Sequence, residues 1–325
     1  MKKNRQKIGI LWGGGLGDLL MLRPLLAGIH AAADCDSRLL TTATHAAGLF
    51  REFCGPTGVV PLSRSAAGLL EAVRTWRGFF DLLYLGPYPT LNTRALARLL
   101  NPAEILSVRH RQAHPFVLEQ VLCDCEDMEL QPPARQADFR ALLPWPVAAG
   151  GASAWPDSRP FLVLHAGSKQ RWETTRWPAE KWAALAGRLL RATPFSLAFV
   201  GVASEEALLR RITDKLSPQE RVRLCLDRDM RATAELVAAA RGVICHNSGI
   251  LHLAAFLGAR TLCLTGSSAR YWRPPYPWVK NITSGRCDLA CNRYACPVPF
   301  YHSRCIRELE VDEVWAAALE HIRPA

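Results

Sequence analysis

Asp18 follows directly on a run of glycines, in Trp12-Gly13-Gly14-Gly15-Leu16-Gly17-Asp18. Glycines let a backbone turn sharply and approach a ligand closely, and a carboxylate delivered by such a loop can take a proton from a hydroxyl as a general base. The plainer reading is a carboxylate capping the start of a helix. A second segment opens at His165-Ala166-Gly167-Ser168 and runs through Lys169, Arg171 and Arg176 to Trp177-Pro178. The amides of Gly167 and Ser168, with Lys169, Arg171 or Arg176, suit a diphosphate; a solvated basic loop is the alternative. A third, Asn247-Ser248-Gly249, leads into an apolar helical stretch and offers amides and a hydroxyl to an anion. His252, one turn further on, reads equally well as a packed core residue.

Three other patterns carry less. The glycines at 13, 14, 15 and 17 have G-x-G-x-G spacing rather than the G-x-G-x-x-G of a dinucleotide fold, and no acidic residue clearly ends the second strand to hold a ribose. A nicotinamide-dependent oxidoreductase therefore rests on the glycines alone. Asp227-Arg228-Asp229 has the D-x-D form that can hold a metal–nucleotide complex, but Asp229 precedes a helix and capping accounts for it. Cys287, Cys291, Cys296 and Cys305, with His302 among them, are a candidate zinc or iron site. Their spacings do not match paired C-x2-C knuckles, and reduced thiols are the alternative.

These segments all fall at junctions between predicted strands and helices. Residues 8–12 read as a buried strand and 18–31 as a helix, and apolar runs at 39–43, 79–85 and 105–108 alternate with helical stretches. A stretch dense in Pro, Gly and Ala at 144–160 reads as a linker. The pattern then restarts, with strands at 161–165, 195–200, 222–226, 242–246 and 260–264. Helices are predicted at 178–191, 204–216, 233–241 and 250–258, and an amphipathic helical tail at 307–322. Two αβ halves predict two Rossmann-like domains with parallel sheets facing a cleft, and ligands in such sheets bind beyond the carboxyl ends of the strands.

Composition sets outer limits. With 325 residues, of which 49% are hydrophobic and 21% charged, the chain has ample apolar surface for folded cores, which excludes disorder as its main state. The net charge of +11 predicts an anionic partner. The basic residues form no continuous stripe; the tightest groups are Lys2, Lys3, Arg5, Lys7 and Arg109-His110-Arg111. That favours an anionic small molecule or a membrane surface over nucleic acid. The basic, then apolar, N-terminus lacks a small-residue cleavage site, and no run approaches a membrane span. The expectation is a cytoplasmic protein with reduced thiols.

Taken in order, the pieces resemble glycosyltransferase family 9, the bacterial ADP-heptose:lipopolysaccharide heptosyltransferases. The carriers are IGILWGGGLGDLLMLRPLL at 8–26, FDLLYL at 80–85, FLVLHAGS with RWPAEKWAALA within 161–186, VICHNSGILHLAAFLGARTLCLTGSS at 243–268 and the cysteine-containing tail at 287–315. The resemblance implies a GT-B fold, with an acceptor-binding domain over 1–150 and a nucleotide-sugar domain over 151–325. It implies inverting transfer of heptose from ADP-heptose to a lipopolysaccharide core or lipid-linked acceptor, with no metal needed for catalysis. Asp18 matches the general base, and Gly14, Gly15 and Gly17 belong to its acceptor-side loop. Gly167, Ser168, Lys169, Arg176, Glu205, Asn247, Ser248, Gly249 and His252 fall on the donor side, Glu205 near the ribose-binding glutamate. The chain departs from the family at Asn247, usually Asp, and at Thr175, often Lys. Both departures bear on which donor is used and how active the enzyme is. Another nucleotide sugar, a protein acceptor, or an inactive or metal-binding interaction protein are the other readings.

Overall fold

The computed structural model describes residues 6–32, 35–42, 58–86, 89–107, 116–130, 139, 143, 147, 159–167, 176–266, 272–285, 296 and 304–322. The chain divides into two compact units, Met1–Pro146 and Val147–Ala325.

The first unit runs β1 (Gln6–Trp12), α1 (Leu16–Ala31), β2 (Cys35–Thr41), β3 (Gly58–Pro61), α2 (Ala66–Trp76), β4 (Leu82–Leu85), α3 (Leu91–Leu100), β5 (Glu104–Ser107) and α4 (Val117–Asp127). Its strands form one parallel sheet in the order β3-β2-β1-β4-β5. The central strand carries a continuous apolar run because both its faces are covered, as expected of parallel sheets; Ile10 sits between Leu39 of β2 and Tyr84 of β4. Helices α2 and α3 lie side by side, and Ala72, Leu96, Ala97 and Leu100 pack with Leu11, Leu40, Phe80 and Leu83. Helix α1 packs against α4.

The second unit runs β6 (Phe161–His165), α5 (Ala179–Ala192), β7 (Ser196–Gly201), a 3-10 turn (Ala203–Glu205), α6 (Glu206–Thr213), β8 (Val222–Leu226), α7 (Met230–Ala239), β9 (Gly242–His246), α8 (Gly249–Phe256), β10 (Thr261–Leu264), β11 (Val279–Ile282), α9 (Arg304–Arg307) and α10 (Val311–His321). The sheet is parallel in the order β11-β10-β9-β6-β7-β8. Strand order reverses between β6 and β9 here and between β1 and β4 in the first unit. Such switch points open a crevice at the strands' carboxyl ends.

The segment Arg176–Trp182 has a structural duty. The Trp177 indole N–H donates to the Leu309 carbonyl at 2.8 Å. Lys181 Nζ donates to the carbonyls of Arg307 and Leu309 and to the Glu310 carboxylate. The turn between α9 and α10 is thereby fastened to the start of α5, and α10 packs on α5, β10 and β11.

Sequence periodicity does not reveal β3 and β11, which are four-residue edge strands. Pro178 stands at the N-cap of α5 rather than in its first turn. The helix expected at 204–216 begins as the 3-10 turn and ends at Thr213. Among the described residues, no helix is long and apolar enough to cross a membrane.

Candidate functional site

In the second unit, polar groups converge where β6 and β9 part. His165 ends β6 and His246 ends β9, both at the carboxyl edge of an apolar strand. His246 Nε2 accepts the Trp177 backbone N–H at 2.9 Å. Its proton must therefore sit on Nδ1, which points at the Gly167 carbonyl 3.4 Å away. Burial pushes this imidazole down to about 3, with His165 and Arg176 adding to the effect. Its ring meets Trp182 edge to face at 5.4 Å. A neutral histidine thus holds together the turn after β6 and the approach to α5.

His165 is held neutral as well, pushed down to about 4 first by burial and then by the charge of Arg176. Its Nδ1 lies 3.2 Å from Ser248 Oγ and its Nε2 3.9 Å from Glu205 Oε2. A neutral ring beside a carboxylate favours the proton on Nε2, leaving Nδ1 to accept from the Ser248 hydroxyl. The contact with Glu205 is accordingly no ion pair at neutral pH.

Glu205 reaches this point because the 3-10 turn after β7 directs it back. Its Oε2 accepts the Val202 N–H at 3.2 Å, and the carboxylate lies against Gly167, where a β-carbon would come within 2.0 Å of Oε1. Burial raises its pKa, opposed by the Val202 hydrogen bond and the charge of Arg176. Ser248 is the N-cap of α8, whose first turn begins at Gly249, and Asn247 precedes it half-buried. A cation, a helix start and a hydroxyl beside a half-buried carboxylate can hold an anion and a hydroxyl-bearing group together.

The structure therefore gathers Gly167, Arg176, Glu205, Ser248 and Gly249 around the β6/β9 switch. Ser168, Lys169, Arg171 and Thr175 lie outside the described residues. His252 is buried in α8, pushed down to about 4 by burial, with its ring edge to face with Trp272 at 6.4 Å. His165 and His246 are the site residues sequence reasoning missed. Their signal was a histidine closing an apolar strand just before a small-residue turn.

In the first unit, Asp18 folds back on the glycine loop. Its Oδ2 accepts the Gly15 N–H, a capping-box arrangement at the start of α1. A β-carbon on Gly14 would fall 2.1 Å from the same oxygen, so that glycine leaves the space the carboxylate fills.

Both aspartates of the D-x-D segment serve the backbone. Asp227, at φ +48°, accepts the Ala203 N–H at 2.9 Å, and Asp229 caps α7 through the Ala232 N–H at 2.7 Å. In the cysteine cluster, Cys305 is buried and Cys296 half-buried; Cys287, Cys291 and His302 lie outside the described residues. Among the described residues, no three His, Cys, Asp or Glu side chains group as metal ligands, so nothing in them supports a structural metal.

Two Rossmann-like units in succession, each with its strand order reversing beside the candidate residues, define a GT-B fold. Solved structures similar to the chain include the Veillonella parvula glycosyl transferase family 9 protein (TM-score 0.71, 14% identity, covering 99% of this chain and 98% of that one). E. coli ADP-heptose lps heptosyltransferase II is similar as well (TM-score 0.68, 16% identity, 98% of each chain). So is E. coli heptosyltransferase WaaC with ADP (TM-score 0.67, 15% identity, 97% of this chain and 100% of that one). No curated protein sequence matches the chain. The model of glycosyltransferase family 9 (heptosyltransferase) matches residues 116–302. The chain belongs to that family and is a glycosyltransferase.

Proposed function

We propose that the protein transfers a heptose from ADP-heptose to a lipopolysaccharide core or lipid-linked acceptor, by one inverting displacement that needs no metal. The observation that carries this reading is the constellation of Glu205 against Gly167, with His165 bridging towards Ser248, at the β6/β9 switch of a family 9 chain. Glu205 accepts ribose hydroxyls, and Arg176 with the α8 amides and the Gly167–Ser168 turn holds the diphosphate. Lys169, Asn247 and His252 belong to the same donor side.

In the reaction, Asp18 takes the proton of the attacking acceptor hydroxyl while the Gly14, Gly15 and Gly17 loop brings acceptor and base together. The new bond forms at the anomeric carbon as the bond to the diphosphate breaks. Negative charge then grows on the leaving ADP, where Arg176 and the helix start stabilise it. Asn247, where the family usually carries Asp, removes a negative charge beside the phosphates and supports a second reading, a different nucleotide-sugar donor. The protein works in the cytoplasm, in peripheral contact with the inner face of the inner membrane, where such an acceptor resides.

Thermal stabilisation by ADP, UDP, GDP and NAD decides among these. A ligand at a hundred times its dissociation constant stabilises by about 2.7 kcal/mol. A response to ADP alone is expected. A response to UDP or GDP replaces the donor but keeps the enzyme class, and a preference for NAD overturns the reading.

A further inference from the structure

Helices α2 and α3 turn a shared outer face to solvent, and its composition is unusual. Along α2, Leu70, Arg74 and Arg77 follow one stripe at helical spacing; along α3, Leu91, Arg94 and Arg98 follow another, with Leu99 beside them. Each of these side chains is exposed, Leu91 to 85%, Leu99 to 55% and Leu70 to 50%. Their opposite faces are committed to the core, through Ala72 on α2 and Leu96, Ala97 and Leu100 on α3. The leucines therefore protrude from the sides of these helices that the core does not use.

The arginines stand out because no described carboxylate pairs with them. Arg94 gives its Nε–H to the Pro89 carbonyl at 3.5 Å, and among the described residues none of Arg74, Arg77, Arg94 and Arg98 is in an ion pair. In the second unit, five surface arginines are paired: Arg188 with Asp312, Arg210 with Glu206, Arg211 with Glu180, Arg231 with Glu235 and Arg304 with Glu308. Glu71 is the one acidic side chain on the α2 and α3 helices. The face is thus a field of positive charge with separate apolar prongs.

We infer that the α2/α3 face docks onto the headgroup layer of an anionic phospholipid bilayer. Arginine heads would meet lipid phosphates while their aliphatic stems lie along the interface, and Leu70, Leu91 and Leu99 enter between headgroups. Nucleic acid matches the charge but leaves the protruding leucines without a role. A protein partner is expected to meet a contiguous apolar patch rather than prongs spaced among charges. The choice of bilayer rests on the functional reading above only in that an inner-leaflet acceptor brings the protein to such a surface.

The test is flotation of the full chain with vesicles of phosphatidylethanolamine and phosphatidylglycerol, against phosphatidylcholine vesicles, without donor or acceptor. Binding to the anionic vesicles, weakened by salt, is expected. Arg74→Gln, Arg77→Gln, Arg94→Gln and Arg98→Gln together lower it by on the order of a hundredfold or more, at roughly fivefold per arginine. Leu91→Ser with Leu99→Ser is a second variant, expected to reduce the binding that survives salt. Unchanged melting temperatures identify both variants as folded, and an unchanged ADP response keeps this test separate from the donor reading. No binding to anionic vesicles, equal binding to phosphatidylcholine, tighter binding to duplex DNA than to vesicles, or a quadruple variant that binds like the wild type would each overturn the proposal.

Discussion

The Glu205 carboxylate occupies the space that a side chain on Gly167 would need: a β-carbon there would lie 2.0 Å from Oε1 and 2.2 Å from Cδ. The turn after β6 and the 3-10 turn after β7 are therefore matched to each other. Gly167→Ala is expected to displace the carboxylate and weaken ADP binding by at least about tenfold, on the scale of 1.4 kcal/mol. Glu205→Ala removes the clash, so the double variant should recover the stability lost by Gly167→Ala without recovering nucleotide binding. Equal melting temperatures for Gly167→Ala and wild type would contradict the packing.

Asp18 combines a local duty with the proposed chemical one. Asp18→Asn keeps an oxygen for the Gly15 N–H but lacks a carboxylate's basicity. Transfer should fall by about 10²–10⁴-fold, with the melting temperature and ADP response close to wild type. Asp18→Ala should in addition cost about 1 kcal/mol through the lost capping interaction. Near-normal turnover by Asp18→Asn would remove it from the role of base.

Three buried histidines make the fold sensitive to acid. His165, His246 and His252 are pushed down to about 4, 3 and 4 from an ordinary 6.5, in each case chiefly by burial. Below pH 6.5 the unfolded chain takes up protons that the native one refuses, so stability falls as pH drops towards 4. The slope is up to about 1.4 kcal/mol per pH unit for each histidine. Glu205, raised by burial, works in the opposite direction over the carboxylate range. Urea midpoints at pH 7 and pH 5 check this, and His252→Phe should flatten the dependence; identical midpoints at the two pH values would refute it.

The C-terminal tether can be separated from the site. Trp177→Phe keeps the ring against Trp182, a contact at 5.4 Å, but deletes the donor to Leu309, at an expected cost of about 1–2 kcal/mol. Lys181→Met should cost less, because its partner Glu310 is largely exposed. Together the two should exceed the sum, since the Leu309 carbonyl loses both its donors. Denaturant titration of the single and double variants provides the cycle.

Asp229→Ala should destabilise by about 1 kcal/mol through loss of the α7 cap while leaving transfer unchanged, and a chelator should leave the rate unaltered. Loss of transfer in either experiment would return the D-x-D segment to metal binding.

Local patterns determined much of this protein from sequence. Apolar runs such as Ile8–Trp12 and Phe161–His165 mark strands because parallel strands are buried on both faces, and small-residue turns mark the junctions at which the candidate site lies. The edge strands β3 and β11 escaped because four half-covered residues give no period to read. Tertiary structure alone paired the histidines. His165 and His246 are far apart in sequence, and each reads alone as a strand terminus. Only the reversal of strand order between β6 and β9 sets them side by side, with Glu205 delivered from the next strand to meet Gly167. Charge balance on the α2/α3 face is likewise a tertiary property, because sequence reports which arginines exist but not which carboxylates come near enough to neutralise them.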